Sequence, residues 1–184
     1  MKTVSYEYVS ADGKYRAVVP DNVMELIFVY CARVGPRETG GILVGLYTND
    51  QSTAIVTEAT PPPRDSKSGS TWFHRGVSGL RSLLEKYWKN PKRQYYLGEW
   101  HFHPAVDVEP SHVDISQMTR ISLDRRYNCP EPISLIVGEV REGKRSTRLI
   151  VFPRNSTAVE LFPANLLREI IDRDPQVLGR VTGF

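Results

Sequence analysis

The sequence predicts one domain of mixed α and β structure, of the α/β or α+β class. Three observations lead there. A chain of 184 residues has the length of a single domain with a core of its own. Segments patterned as strands are interspersed along it with segments whose apolar residues recur at helical spacing. No internal repeat, low-complexity tract or convincing linker divides it.

Residues 3–9 (TVSYEYV) alternate loosely and predict a strand. Ala11-Asp12-Gly13 is a turn, and Tyr15 to Val19 predicts a second strand. Pro20-Asp21 opens a helix in which Val23, Ile27, Tyr30, Cys31 and Val34 share one face, and Gly35-Pro36 ends it. Cys31 thus lies on a packing face, as a small buried hydrophobe rather than a nucleophile. Ile42 to Tyr47 is apolar on both faces and predicts a central strand, with Ser52 to Ala59 as its antiparallel partner across Thr48-Asn49-Asp50. The paired Gly40 and Gly41 allow close backbone approach, and Glu38 just before them falls at a sheet end. Thr60 to Ser70 (TPPPRDSKSGS) orders little by itself and is a candidate mobile flap or an ordinary surface loop. Gly79 to Asn90 is an amphipathic helix with Leu80, Leu83, Leu84, Tyr87 and Trp88 on one face. Tyr95 to His103 is a strand and His112 to Arg126 a helix. Pro132 to Val140 and Ser146 to Phe152 form a hairpin around Glu142-Gly143. Residues 164–172 predict a terminal helix, expected to dock through Leu166, Leu167, Ile170 and Ile171.

Composition narrows the function classes. Hydrophobic residues make up 40% and charged residues 24%, as in ordinary soluble globular proteins. A net charge of +3, without a Lys/Arg run, argues against nucleic acid as partner. No apolar stretch approaches the roughly 20 residues of a membrane span, and the N-terminus lacks a signal-peptide core. Two cysteines, Cys31 and Cys129, give no disulfide framework. The expectation is a cytoplasmic, enzyme-sized domain with no membrane or nucleic-acid partner.

The chemistry concentrates in Gly98-Glu99-Trp100-His101-Phe102-His103-Pro104, followed by Ser111 and Asp114. Two histidines two positions apart on a strand share a face. Pro104 stops the strand, and a turn-rich segment leads to a helix with Ser111 at its N-cap and Asp114 in its first turn. Two imidazoles and one carboxylate can therefore converge, and three such ligands with an open fourth position are the composition of a catalytic zinc site. Zinc there lowers the pKa of a bound water from about 15.7 to about 7. Glu38 is the candidate for moving the proton, and Ser111 is either an oxyanion donor or only an N-cap. The helix turns His112 away from the convergence point. His74 either faces solvent or packing neighbours, or touches substrate. Glu99 falls on the face of both histidines, to orient an imidazole or to make a surface salt bridge. Asp107 and Glu109 either bind substrate or are solvated, and Cys129 has no motif around it.

This set resembles the JAMM (JAB or MPN-plus) metalloprotease family. Its motif is an upstream glutamate, then His-x-His-Pro, six residues, Ser, two residues and Asp. Glu38, His101, His103, Pro104, Ser111 and Asp114 fill it completely, and the resemblance spans about residues 20–155. It implies a central mixed β-sheet flanked by helices in a cytidine-deaminase-like architecture, with a helical tail over about residues 156–184. It implies one Zn²⁺ held by His101, His103 and Asp114, Glu38 as general acid/base and Ser111 as oxyanion donor. The implied reaction is hydrolysis of isopeptide or peptide bonds after the C-terminal tail of a ubiquitin-like protein. Phe102 and Glu99 depart from the Ser/Thr and Trp that many members carry there, without touching the ligands. The compact length and the Pro-Pro-Pro loop look most like bacterial JAB proteins found beside E1- and E2-like enzymes in antiphage CBASS systems. There the substrate is a nucleotidyltransferase (CD-NTase) joined through its C-terminus. Trimming of a ubiquitin-like or sulfur-carrier protein, and a non-catalytic MPN scaffold, are the alternatives.

Overall fold

The structure, a computed structural model, describes residues 5–104 and 108–173. Its strands are β1 (Ser5–Ser10), β2 (Arg16–Pro20), β3 (Thr39–Tyr47), β4 (Thr53–Ala59), β5 (Lys67–Ser68), β6 (Phe73–His74), β7 (Tyr95–Phe102), β8 (Ile133–Arg141), β9 (Lys144–Val151) and β10 (Val159–Pro163). Its helices are α1 (Asp21–Val34), α2 (Leu80–Lys89), α3 (His112–Leu123) and α4 (Ala164–Arg173). The expected mixed α/β domain is present. Eight strands form one sheet in the order β1-β10-β9-β8-β7-β3-β4-β2, which closes through β2 and β1. The β7–β8 and β2–β4 pairs are parallel and the rest antiparallel, so the sheet is mixed.

Helices cover both faces of this sheet. Val23, Met24, Ile27 and Cys31 of α1 pack with Leu43, Leu97, Trp100, Phe102, Leu135 and Leu149 on one side. Ile42, Val44, Tyr96, Ile150 and Phe152 meet Met118 and Ile121 of α3 on the other, where Leu80, Leu84 and Tyr87 of α2 also lie. Period-two alternation explains why Leu43 and its neighbours Ile42 and Val44 belong to opposite layers. Cys31 is buried as expected, and burial pushes its thiol up to about 12, so it stays protonated and inert. The β8–β9 hairpin turns at Glu142 and Gly143 with φ of 49° and 76°, the two positive values a tight two-residue turn requires.

Two boundaries differ from expectation. The helix predicted to reach Arg126 stops at Leu123, because Asp124 is extended and its carboxylate accepts the Arg126 N–H at 2.9 Å, starting a short 3₁₀ turn. The segment expected as a helical tail opens with a strand, β10, whose partners β1 and β9 are distant in sequence and leave no local signal. α4 then docks with Leu167 buried and Leu166 exposed. Residues 174–184 of the expected tail lie outside the described residues.

Candidate metal centre

β7 carries the imidazoles to the end of the sheet. A bulge at Leu97, between the pairs Tyr96–Val44 and Gly98–Leu43, shifts its parity. Trp100 and Phe102 then point toward α1, while Glu99 and His101 face α3. Gly98 makes the bulge possible. Its φ is 152°, and a Cβ there would lie 1.8 Å from the Ile133 carbonyl oxygen of β8. His103 extends the ladder by donating its N–H to Val137 O at 2.9 Å.

α3 brings the carboxylate. Its first turn is a capping box, in which Asp114 N–H donates to Ser111 Oγ at 3.2 Å and Ser111 N–H to Asp114 Oδ2 at 2.8 Å. The Ser111 hydroxyl also donates to Asp114 Oδ2 at 2.6 Å. These bonds fix the carboxylate, and His101 Nδ1 lies 3.0 Å from Oδ1 and His103 Nε2 3.7 Å from Oδ2. One ligand atom from each of His101, His103 and Asp114 falls within 4.8 Å of the others.

Burial pushes the Asp114 carboxyl up. The hydrogen bond and charge of His101 and the bonds from Ser111 outweigh it and hold the group well below the usual carboxylate range. Glu38 behaves oppositely. It is half-buried just ahead of β3, and the Thr39–Phe102 and Gly40–His101 pairs set it beside the end of β7. Burial raises its pKa, against a lowering by the His101 charge and with a further rise from Asp114. Its N–H donates to Gly69 O at 2.8 Å. The pair Gly40-Gly41 is as close to its neighbours as expected, since a Cβ on Gly40 would lie 2.5 Å from Trp100 O.

The donor set suits a metal ion. Two imidazoles and a carboxylate are borderline N and O ligands, and His101 Nε2 is buried without a hydrogen-bond partner among the described residues. A family model for prokaryotic homologues of the JAB domain matches residues 20–150, which include all of these groups. The chain belongs to the prokaryotic JAB family. This JAB chain is 43% identical to a CD-NTase/cGAS isopeptidase of Enterobacter hormaechei over 83% of its own length and 84% of that protein's. It is 28% identical to a CD-NTase/cGAS isopeptidase of Pseudomonas aeruginosa over 70% of each chain. In fold it resembles the solution structure of a Desulfitobacterium hafniense protein, with a TM-score of 0.56 at 20% identity over 76% of this chain and 86% of the other.

Of the other predicted residues of the JAB chain, His112 is turned away as expected and His74 takes the solvent-facing one of its expected settings, while Glu99 has neither of the surroundings expected for it. Glu99 is neither on the surface nor bonded to an imidazole. It is buried, and its carboxylate accepts from Arg75, Tyr96 and Gln117. His74 is exposed, its ring edge-on to Trp72 at 5.9 Å, and His112 is exposed and outside the metal group. Glu109 is ion-paired with Arg148, and Asp107 lies outside the described residues. The Thr60–Ser70 loop is tied down. Asp65 accepts the N–H groups of Val77 and Ser78 at 3.0 and 2.9 Å, Ser66 Oγ accepts that of Gly76 at 2.9 Å, and β5 pairs with β6. Phe73 of β6 lies 5.1 Å from His101, ring to ring. Nothing in the sequence points to Phe73, Arg75 and Gln117, because none carries a motif and each has its partner here far along the chain.

A direct consequence concerns stability. A metal ion held by this cluster and present at 100 times its Kd would stabilise the protein by about 2.7 kcal/mol. Thermal unfolding with and without zinc measures this, and His101→Ala should remove the rise.

Proposed function

We propose that this JAB protein is a zinc-dependent isopeptidase that releases a CD-NTase-like protein from whatever its C-terminal tail is joined to. The observation that carries the reading is the convergence of His101, His103 and Asp114 within 4.8 Å, beside the half-buried Glu38. The named function of the 43%-identical relative supports the substrate class.

In this reading His101, His103 and Asp114 would hold zinc, which would supply a Lewis acid able to activate water near neutral pH. Glu38, whose pKa burial has raised, takes the proton from the attacking water and passes it to the leaving nitrogen. Ser111 serves the cap and the reaction together. Its oxygen goes on accepting the Asp114 N–H, while its one proton swings from Asp114 Oδ2 to the developing oxyanion. The closed main sheet gives an extended tail no edge to join, whereas β5 pairs only with β6 among the described residues. The tail therefore adds as a strand at this hairpin, next to the Glu38–Gly69 bond. The chain works in the cytoplasm alongside E1- and E2-like enzymes. Among the described residues no helix is long and apolar enough to cross a membrane.

The test compares host cells carrying the wild type with cells carrying Glu38→Ala, by intact-protein mass spectrometry. A CD-NTase that shifts to a higher-mass covalent adduct only in the variant is the expected result. A precursor with a longer C-terminus and no adduct would make the chain a maturation peptidase instead. Neither species, with zinc bound, would point to a scaffold.

A further inference from the structure

The ligands of the metal centre come from two separate elements, the end of β7 with the residue after it and the first turn of α3. Something must hold these elements at the right separation. His101 Nδ1 to Asp114 Oδ1, at 3.0 Å, is one cross-link between them. Two residues earlier on the strand and three later on the helix is another, Gln117 Nε2 donating to Glu99 Oε2 at 2.9 Å. Two residues of strand rise about 6.6 Å and three of helix about 4.5 Å, so these links form successive rungs between β7 and α3. A single rung would leave α3 free to pivot about Asp114. Two rungs fix its direction as well as its distance.

The other oxygen of Glu99 reaches the wall of the site. Oε1 accepts from Arg75 Nε at 3.0 Å, Arg75 Nη2 at 2.8 Å and the Tyr96 hydroxyl at 3.3 Å. The Arg75 side chain is 8% exposed, and its Nη1 donates to Gly76 O at 2.9 Å. It follows Phe73, the ring beside His101, by two residues. One buried carboxylate thus bonds to its own strand through Tyr96, to α3 through Gln117 and to the segment after β6 through Arg75.

We propose that Glu99 is a positioning residue that sets the spacing of the imidazoles and the Asp114 carboxylate, through Gln117 on one side and Arg75 on the other, before any metal arrives. The inference rests on the reading that His101, His103 and Asp114 hold zinc. Cutting the Arg75 arm would leave a buried charge unpaired and confound folding. The Gln117 arm is neutral and lies on a half-buried helix face, so it can be cut alone.

The experiment is Gln117→Met, which keeps length and helix propensity and removes the donor. Zinc affinity is read by competition with a chromophoric chelator, ligand geometry by the visible spectrum of the cobalt(II)-loaded protein, and folding by the melting temperature of the metal-free protein. The expected result is a zinc Kd raised roughly 10-fold, the low end of what losing a hydrogen bond made directly to a metal ligand costs, because this bond acts one step further out. The cobalt bands change with it, while the metal-free protein keeps a cooperative unfolding transition whose melting temperature falls only by the several degrees that one lost hydrogen bond to a buried carboxylate accounts for. Wild-type zinc affinity and cobalt bands in the variant would overturn the inference and leave the zinc reading standing. A metal-free variant that does not fold would overturn it too, by making Gln117 part of the general scaffold. A wild-type protein that binds no zinc in the same titration would remove the zinc reading itself.

Discussion

Replacing Glu38 by glutamine is expected to lower kcat by roughly 10²- to 10⁴-fold, the usual contribution of a positioned acid/base, with zinc content unchanged. The side chain is outside the ligand group yet close enough to feel the charges of His101 and Asp114. Its backbone is held by Gly69, so an amide of the same shape leaves the site in place. The effect on stability has the opposite sign. A carboxyl raised above its ordinary 4.5 binds its proton more tightly in the folded state. The stability it contributes is fully present below the unfolded pKa and is lost as pH rises through the folded pKa. Metal-free Glu38→Gln should therefore melt no lower than wild type at pH 7, with any advantage gone in acid. Turnover of a fluorogenic C-terminal amide, metal analysis and melting curves at the two pH values check this together. Full activity in the variant would assign the proton transfer to another group.

Gly98→Ala should be among the most damaging substitutions for stability. A methyl group there would meet the Ile133 carbonyl oxygen at 1.8 Å, and that oxygen belongs to backbone in the middle of the sheet. Backbone strain at a positive φ adds about 1–3 kcal/mol and overpacking a similar amount, so a loss of about 3 kcal/mol or more is expected. The urea midpoint of the metal-free protein measures it. Zinc affinity should fall as well, because the bulge directs His101, three residues on. A variant with the wild-type midpoint would mean that the β7–β8 register differs from the one described.

The three-residue cluster proposed to hold the metal is legible in the sequence because its signals are local. A strand's two-residue period and one N-cap serine bring His101, His103 and Asp114 together within a short stretch of chain. Glu38 was legible through the two glycines after it and through the family motif, since its contact with β7 depends on the β3–β7 register. Glu99 shows where local reading stops. Its face was readable, but its partners Arg75 and Gln117 lie 24 and 18 residues away, and a pattern search does not pair them. The Pro-rich loop reads as unstructured because its order comes from Asp65 and Ser66 accepting backbone N–H groups 10 to 13 residues on and from the short β5–β6 pairing, none of which leaves a local pattern. Likewise β10 is ordinary as sequence and becomes a strand only where β1 and β9 wait on either side.

That last strand has a consequence for synthesis. β1 pairs with β2 on one side and with β10 on the other, through Tyr8–Pro163, Val9–Phe162 and Ser10–Leu161. A nascent chain emerging from the ribosome holds both histidines, Asp114 and Glu38 well before Val159 is made. Until then β1 and β9 each present a row of open backbone groups, the kind of edge that recruits other chains. The contacts that close the ring also span nearly the whole described chain, and pairings of such long range form slowly. The ring cannot close until β10 has been made, and a chain cut short before β10 would carry His101, His103, Asp114 and Glu38 on a body with two open strand edges.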